Sequence, residues 1–221
     1  MKLPLPIQRV ADELAELPSI GPRQAIRLAF YIVGQKKDAV RNLAASIDEL
    51  RNIKICERCF FIHQNEPITT TAPDGSTRNE SLCDICRNPN RNQRAIMVVE
   101  KETDLVSLEN TGKYTGRYFI IGEITKTGIL EDWQKQRVRA LKSFIEKNLA
   151  DPAQPNQPGR ADEIIFAFNP TSLGDLQTSL LVKELGQLAK KNSRLGRGLP
   201  TGGEIEFADD ETLSSALDRR S

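Results

Sequence analysis

The chain contains four cysteines, and all of them fall in two CxxC pairs, Cys56 with Cys59 and Cys83 with Cys86. Two thiolates three positions apart can turn onto one metal ion, so two such pairs supply the four sulfurs of a closed, tetrahedral, structural Zn²⁺ site. A disulfide framework fits less well. Such scaffolds are short and cysteine-dense, whereas these four cysteines lie in 221 residues that begin without the apolar core of a signal peptide. The gap between the pairs, residues 60–82, carries the single histidine, His63. Four thiolates already complete a closed site, so His63 is read as a loop residue and not as a ligand. Within the gap, residues 68–71 suit a strand and APDGST at 72–77 holds an Asp-Gly corner, so 60–82 is expected to project from the metal site as an extended hairpin.

The length exceeds that of a usual single domain, and more than one unit is expected. No apolar run approaches the roughly 20 residues that a membrane span needs, so a soluble, cytoplasmic protein with no membrane partner is expected. Charged residues make up 28% of the chain, yet the formal net charge is only +1. A polyanion would therefore be held by local patches and not by a general positive field.

Apolar residues at Ile7, Val10, Leu14 and Leu17 follow helical spacing up to Pro18, and Ile26, Phe30 and Val33 signal a second helix with Pro22 in its first turn. The tight turn at Ser19, Ile20 and Gly21 makes the pair a helical hairpin. From residue 18 to 37 there are four basic residues, Arg23, Arg27, Lys36 and Lys37, and no acidic one. Backbone N–H groups, a positive helix end and arginines together suit a phosphate, though an ordinary solvated basic face has the same pattern. A third helix is expected over 40–50. Beyond the second cysteine pair, Arg87, Arg91 and Arg94 form another basic cluster and are candidates for phosphate contact.

After Arg94 the period changes. AIMVV at 95–99, the run at 118–121 and IIFAF at 164–168 read as buried parallel strands. They alternate with helices expected over 132–149 and after NPTSLGD at 169–175, where Leu181, Leu185 and Leu188 recur; the three prolines of 151–159 mark a loop. The expected architecture is α/β with a mainly parallel sheet. Glu100 and Asp175 then fall at carboxyl ends of strands, where such sheets place their sites, and could hold one Mg²⁺ weakly or be plain surface acids. In the tail, Arg194 and Arg197 precede GLPTGG at 198–203. Ile205 and Phe207 alternate with acids as in a short strand, and a helix is expected over 213–217. A tail without a core of its own docks on the α/β layer or on a second subunit.

These elements resemble the RecR family of bacterial recombination mediators along nearly the whole chain. LPSIGPRQAIRLAF at 17–30 is similar to the family's helix-hairpin-helix signature, AIMVVE at 95–100 to its first Toprim strand and NPTSLGD to its second Toprim motif. RLGRGLPTGGEIEFADDETL at 194–213 is similar to the tail with its G-x-P-x-G-G turn. The resemblance divides the chain into a helix-hairpin-helix domain (1–53), a four-cysteine zinc finger with a long inserted loop (54–87), a Toprim domain (88–192) and a C-terminal tail (193–221). It departs from the family pattern at Ser19, where the hairpin usually has a glycine, and at Leu173, where the Toprim motif usually has an acid. The cysteine gap is longer than usual, and 122–159 does not match.

The resemblance implies a DNA-binding ring of four subunits. Amino-terminal modules pair with each other, as do Toprim domains with their tails, around a hole wide enough for duplex DNA. It also implies work with RecO and RecF to load recombinase onto gapped DNA, near the nucleoid and without catalysis. Two other classes stay open from the residues: a Toprim enzyme using Mg²⁺ at Glu100 and Asp175, and a zinc-containing protein-interaction module. Two-metal chemistry needs more carboxylates than these positions supply.

Overall fold

The computed structural model describes residues 3–64, 82–123, 125, 128–150 and 157–218. They belong to two compact units, one ending at Ile53 and the other beginning at Lys54. The hairpin expected over 68–77 and most of the proline-bearing loop of 151–159 lie outside the described residues.

The first unit is helical: α1 (Leu5–Ala15), α2 (Pro22–Val33) and α3 (Lys37–Glu49). Prolines open α1 and α2, where their missing N–H is no loss. Between these helices Ser19 takes the left-handed conformation, with φ 65°. A residue with a Cβ is held there at a cost of about 1–2 kcal/mol. The two helices close on the small side chains of Ala11, Ala25 and Ala29, ringed by Ile7, Leu14 and Ile20. No residue of α3 is buried, and Leu43 and Ile47 on it, with Leu50 just beyond, present an exposed apolar stripe.

The second unit begins within β1 (Ile53–Ile55), which pairs with β2 (Ile62–Gln64) in a small sheet, and continues with the one-turn helix α4 (Asp84–Arg87). Next come β3 (Ala95–Val99), α5 (Glu102–Glu109), β4 (Arg117–Ile120), α6 (Asp132–Asn148), β5 (Ala161–Ala167), α7 (Ser172–Leu185), β6 (Ala189–Arg194) and α8 (Asp210–Asp218). The four longer-range strands form one sheet in the order β4-β3-β5-β6, every pairing parallel. β3 is central, with Val98 facing Phe119 on one side and Phe166 on the other.

Alternate residues of a strand point to opposite faces, and both faces here are covered, which is why AIMVV is an unbroken apolar run. Ile96 and Val98 meet Val138, Leu141 and Ile145 of α6 and Leu181 and Leu185 of α7. Met97 and Val99 meet Leu105 of α5, with Phe60, Phe61 and Ile85 of the cysteine segment packed against them. The fold is thus the expected α/β layer with a parallel sheet. Four elements escaped the sequence reading: β1, the one-turn α4, α5 and the polar edge strand β6 (AKKNSR), whose charges suit an edge better than a core. One expectation is corrected. Ile205–Phe207 is a 3-10 turn and not a strand, since no described strand pairs with it, and Ile205 and Phe207 stay exposed.

Candidate metal centre and nucleic-acid interface

Cys56 follows β1, and the chain then turns tightly. The Phe60 N–H donates to the Cys56 carbonyl at 2.9 Å and the Cys56 N–H to the Phe61 carbonyl at 2.8 Å. The turn places Phe60 in the left-handed region, φ 64°, unusual for a bulky side chain. Packing holds it there: its ring meets Phe119 edge-on, centroids 5.5 Å apart, beneath the Arg137 guanidinium. The second pair sits on α4, with Cys83 just before its first residue and Cys86 inside it. All four cysteines are buried and none is in a disulfide.

The four sulfurs lie within 4.8 Å of one another, the Cys59–Cys83 pair at 3.5 Å. Tetrahedral zinc with bonds of about 2.3 Å needs sulfurs roughly 3.8 Å apart, so the set fits one such ion. The Cys59 thiol is pushed far above its ordinary value, first by hydrogen bonding with Cys56, Cys83 and Cys86 and then by burial. Hydrogen bonding with the same neighbours pulls Cys56 down. His63, on β2, is outside the set; its Nδ1 lies 3.4 Å from the Gln64 carbonyl oxygen and its buried Nε2 has no partner among the described residues.

Two arginines border the centre. Arg58 Nη1 donates to the Cys86 carbonyl at 3.4 Å, and the Arg58 and Arg117 guanidinium carbons lie 5.7 and 5.6 Å from the centroid of the same Phe144 ring. Burial pulls the Arg117 pKa down, and Cys86 acts in the opposite sense. Neither arginine was singled out from the sequence. The one available signal is a charged residue at the head of the apolar strand RYFI.

Of the expected phosphate contacts, Arg23 and Arg27 are exposed on α2, one turn apart and on one face. The arginines of the second cluster, also expected to contact phosphate, are each partnered within the fold. Arg91 donates Nε to the Gly116 carbonyl at 2.7 Å and both terminal nitrogens to the Glu109 carboxylate at 2.6 and 2.9 Å. Arg94 donates to Asp162 at 3.2 Å and to the Leu149 and Arg160 carbonyls at 3.1 and 2.7 Å. Arg87 donates Nε to the Leu82 carbonyl at 2.8 Å and pairs with Asp84. These guanidinium groups, those of Arg91 and Arg94 above all, join segments of the fold.

Glu100 directly follows β3 and is buried, accepting a hydrogen bond from Gln177 of α7 at 3.2 Å. Asp175, in the first turn of α7, accepts from Arg194 at the end of β6 and from Arg197 beyond it. These bonds, Arg197 first, hold its carboxyl below the usual range. Arg197 also reaches Glu211 of α8 at 3.0 Å, so the Toprim-motif acid anchors the tail. A cavity of about 240 Å³ opens beside this network, lined by Asp104, Phe168, Asn169, Arg194 and Arg197. The sequence reading noted the two arginines but did not pair them with Asp175, because 19 and 22 positions of chain intervene.

The parallel sheet is covered on both faces with acids near its carboxyl edge, and residues 94–195 match the Toprim domain model, so this part of the chain is a Toprim domain. Residues 7–51 match the model described as RecR, helix-hairpin-helix, and residues 198–221 that described as RecR, C-terminal. The chain is 36% identical over 220 residues to Recombination protein RecR of Roseiflexus castenholzii, covering 99% of this chain and 94% of that protein. It is 35% identical to that of Chloroflexus aggregans, covering 97% and 93%, and 32% identical to that of Gloeobacter violaceus, covering 97% and 96%. The chain belongs to the RecR family of recombination repair proteins.

Proposed function

We propose that this chain is a DNA-binding recombination mediator with no catalysis of its own. It acts as a ring-shaped clamp and adaptor that works with RecO-like and RecF-like proteins to load recombinase on gapped DNA in the bacterial cytoplasm. The observation that carries the reading is the exposed pair Arg23 and Arg27, neither of which has a hydrogen bond or ion pair among the described residues. Both stand on the second helix of the hairpin, Arg23 in its first turn at the positive end and Arg27 one turn further on. Guanidinium groups so placed suit backbone phosphates, which position a protein on DNA without reading sequence.

Other features support the remaining parts. Four converging sulfurs suit one structural Zn²⁺. Asp175 is neutralised by two arginines, so Mg²⁺ at Glu100 and Asp175 binds weakly and a scaffold fits better than an enzyme. Exposed apolar side chains on α3 and in the tail, Ile47, Ile205 and Phe207 among them, suit pairing with further copies of the chain in a ring of four.

The test is a DNA titration by fluorescence anisotropy at several salt concentrations. Wild-type affinity is expected to fall steeply with salt. The Arg23→Glu/Arg27→Glu double variant should bind at least about tenfold more weakly, with a salt slope shallower by roughly two. Unchanged affinity and slope in a folded double variant would remove the hairpin from the DNA surface.

A further inference from the structure

Arg117 is a buried cation with no carboxylate counter-charge among the described residues. It is 6% exposed, its Nε and Nη1 have no hydrogen-bond partner, and no carboxylate pairs with it among the described residues. A guanidinium left this way is among the most unfavourable groups a fold can bury. The cost is deepened by Arg58, whose guanidinium shares the Phe144 ring with it. Cation–π contact with one ring offsets part of the desolvation but supplies no anion.

A source of negative charge close by is the cysteine cluster. Arg58 stands between Cys56 and Cys59 and bonds the Cys86 backbone, and α4, which carries Cys86, packs on β4, which Arg117 opens. As four neutral thiols the cluster gives no counter-charge. Four thiolates around one Zn²⁺ leave a net double negative charge, matched in sign and size by the two guanidinium groups. We propose that Arg117, seconded by Arg58, is the outer counter-charge of a tetrathiolate zinc centre and sets how tightly the metal is held. The inference rests on the reading of the four cysteines as a zinc site. It makes Arg117 a positioning residue: it touches no substrate and acts through the Cys86 and Cys59 thiolates.

The mechanism predicts opposite effects on the two states. With zinc bound, Arg117 stabilises the anionic centre; without zinc it is an unpaired buried charge. The experiment uses the full chain as wild type, Arg117→Met, Arg117→Lys and Arg58→Met. Zinc affinity is measured by competition with a chromophoric chelator, and melting is followed with and without Zn²⁺.

Arg117→Met is expected to lose about 10–100-fold in zinc affinity while its metal-free form melts at or above the wild-type temperature. Arg117→Lys, which keeps the charge, should restore most of the affinity, and half-buried Arg58→Met should show a smaller loss in the same direction. Wild-type affinity in both methionine variants would overturn the proposal, as would an equal fall in melting temperature with and without Zn²⁺ or a metal-free Arg117→Met chain that does not fold. A wild-type chain that takes up no stoichiometric zinc would overturn the zinc reading itself, which separates the two failures.

Discussion

Arginines that look alike in the sequence have different roles in this fold. Arg23 reaches solvent from α2, whereas Arg91 grips Glu109 through two parallel hydrogen bonds and closes on the carbonyls of Tyr114 and Gly116. That fork holds the Glu109 carboxyl below its usual range, against the upward push of burial. Replacing Glu109 with Gln is expected to destabilise the chain by about 1–3 kcal/mol, because a mostly buried guanidinium loses its charged partner. The folded-state pKa of Glu109 is depressed, so its contribution is fully present above the ordinary carboxylate value of about 4.3 and is lost as pH falls through the folded value. Urea unfolding should therefore show the gap between wild type and Glu109→Gln at neutral pH closing in acid; a gap of constant size would show that the ion pair contributes nothing.

Single elements show how far local pattern reaches. The turn from β5 into α7 is built by its own residues. Thr171 caps the helix, its hydroxyl accepting from the Gly174 N–H at 3.1 Å, and a Cβ on Gly174 would strike the Asn169 carbonyl oxygen. Thr171→Ala should cost about 1 kcal/mol and Gly174→Ala more, up to roughly 3 kcal/mol, in chemical denaturation; equal small losses would mean the turn has room to relax.

Elements whose reasons are local were legible in advance. These include the prolines opening α1 and α2, the two cysteine pairs, and the strands β3, β4 and β5, whose apolar runs follow from cover on both faces. What was hidden depends on partners far along the chain. β6 is a strand only because β5 offers it an edge, and Ile205–Phe207 is not a strand because none does. The inward turn of Arg91 depends on Glu109, and the occupation of Asp175 depends on Arg194 and Arg197. Arg117 was passed over because its burial is a property of the packed layer, not of its neighbours in sequence.

At the scale of the whole molecule, exposed apolar groups occur on several elements, and the proposed ring uses two of these places, α3 and the tail. Sedimentation should find four subunits for the wild type, and dimers for Ile47→Glu and for Phe207→Glu, each of which removes one kind of pairing. A wild-type mass retained by either variant would take that surface out of the assembly. The sheet order also sets a sequence of events during synthesis. Contacts in the helical unit join neighbours in the chain, but Ala95 of β3 must await Glu163 of β5. At about 5–20 residues per second, those ~70 residues take the ribosome roughly 4–14 s to make, during which one edge of β3 stands open. Both cysteine pairs precede that strand in the chain, so their thiols meet the cell's metal supply before the layer that buries them has closed. On the proposed zinc reading, loading falls to the nascent chain, and a finished metal-free molecule is expected to take up Zn²⁺ only as fast as it partly opens.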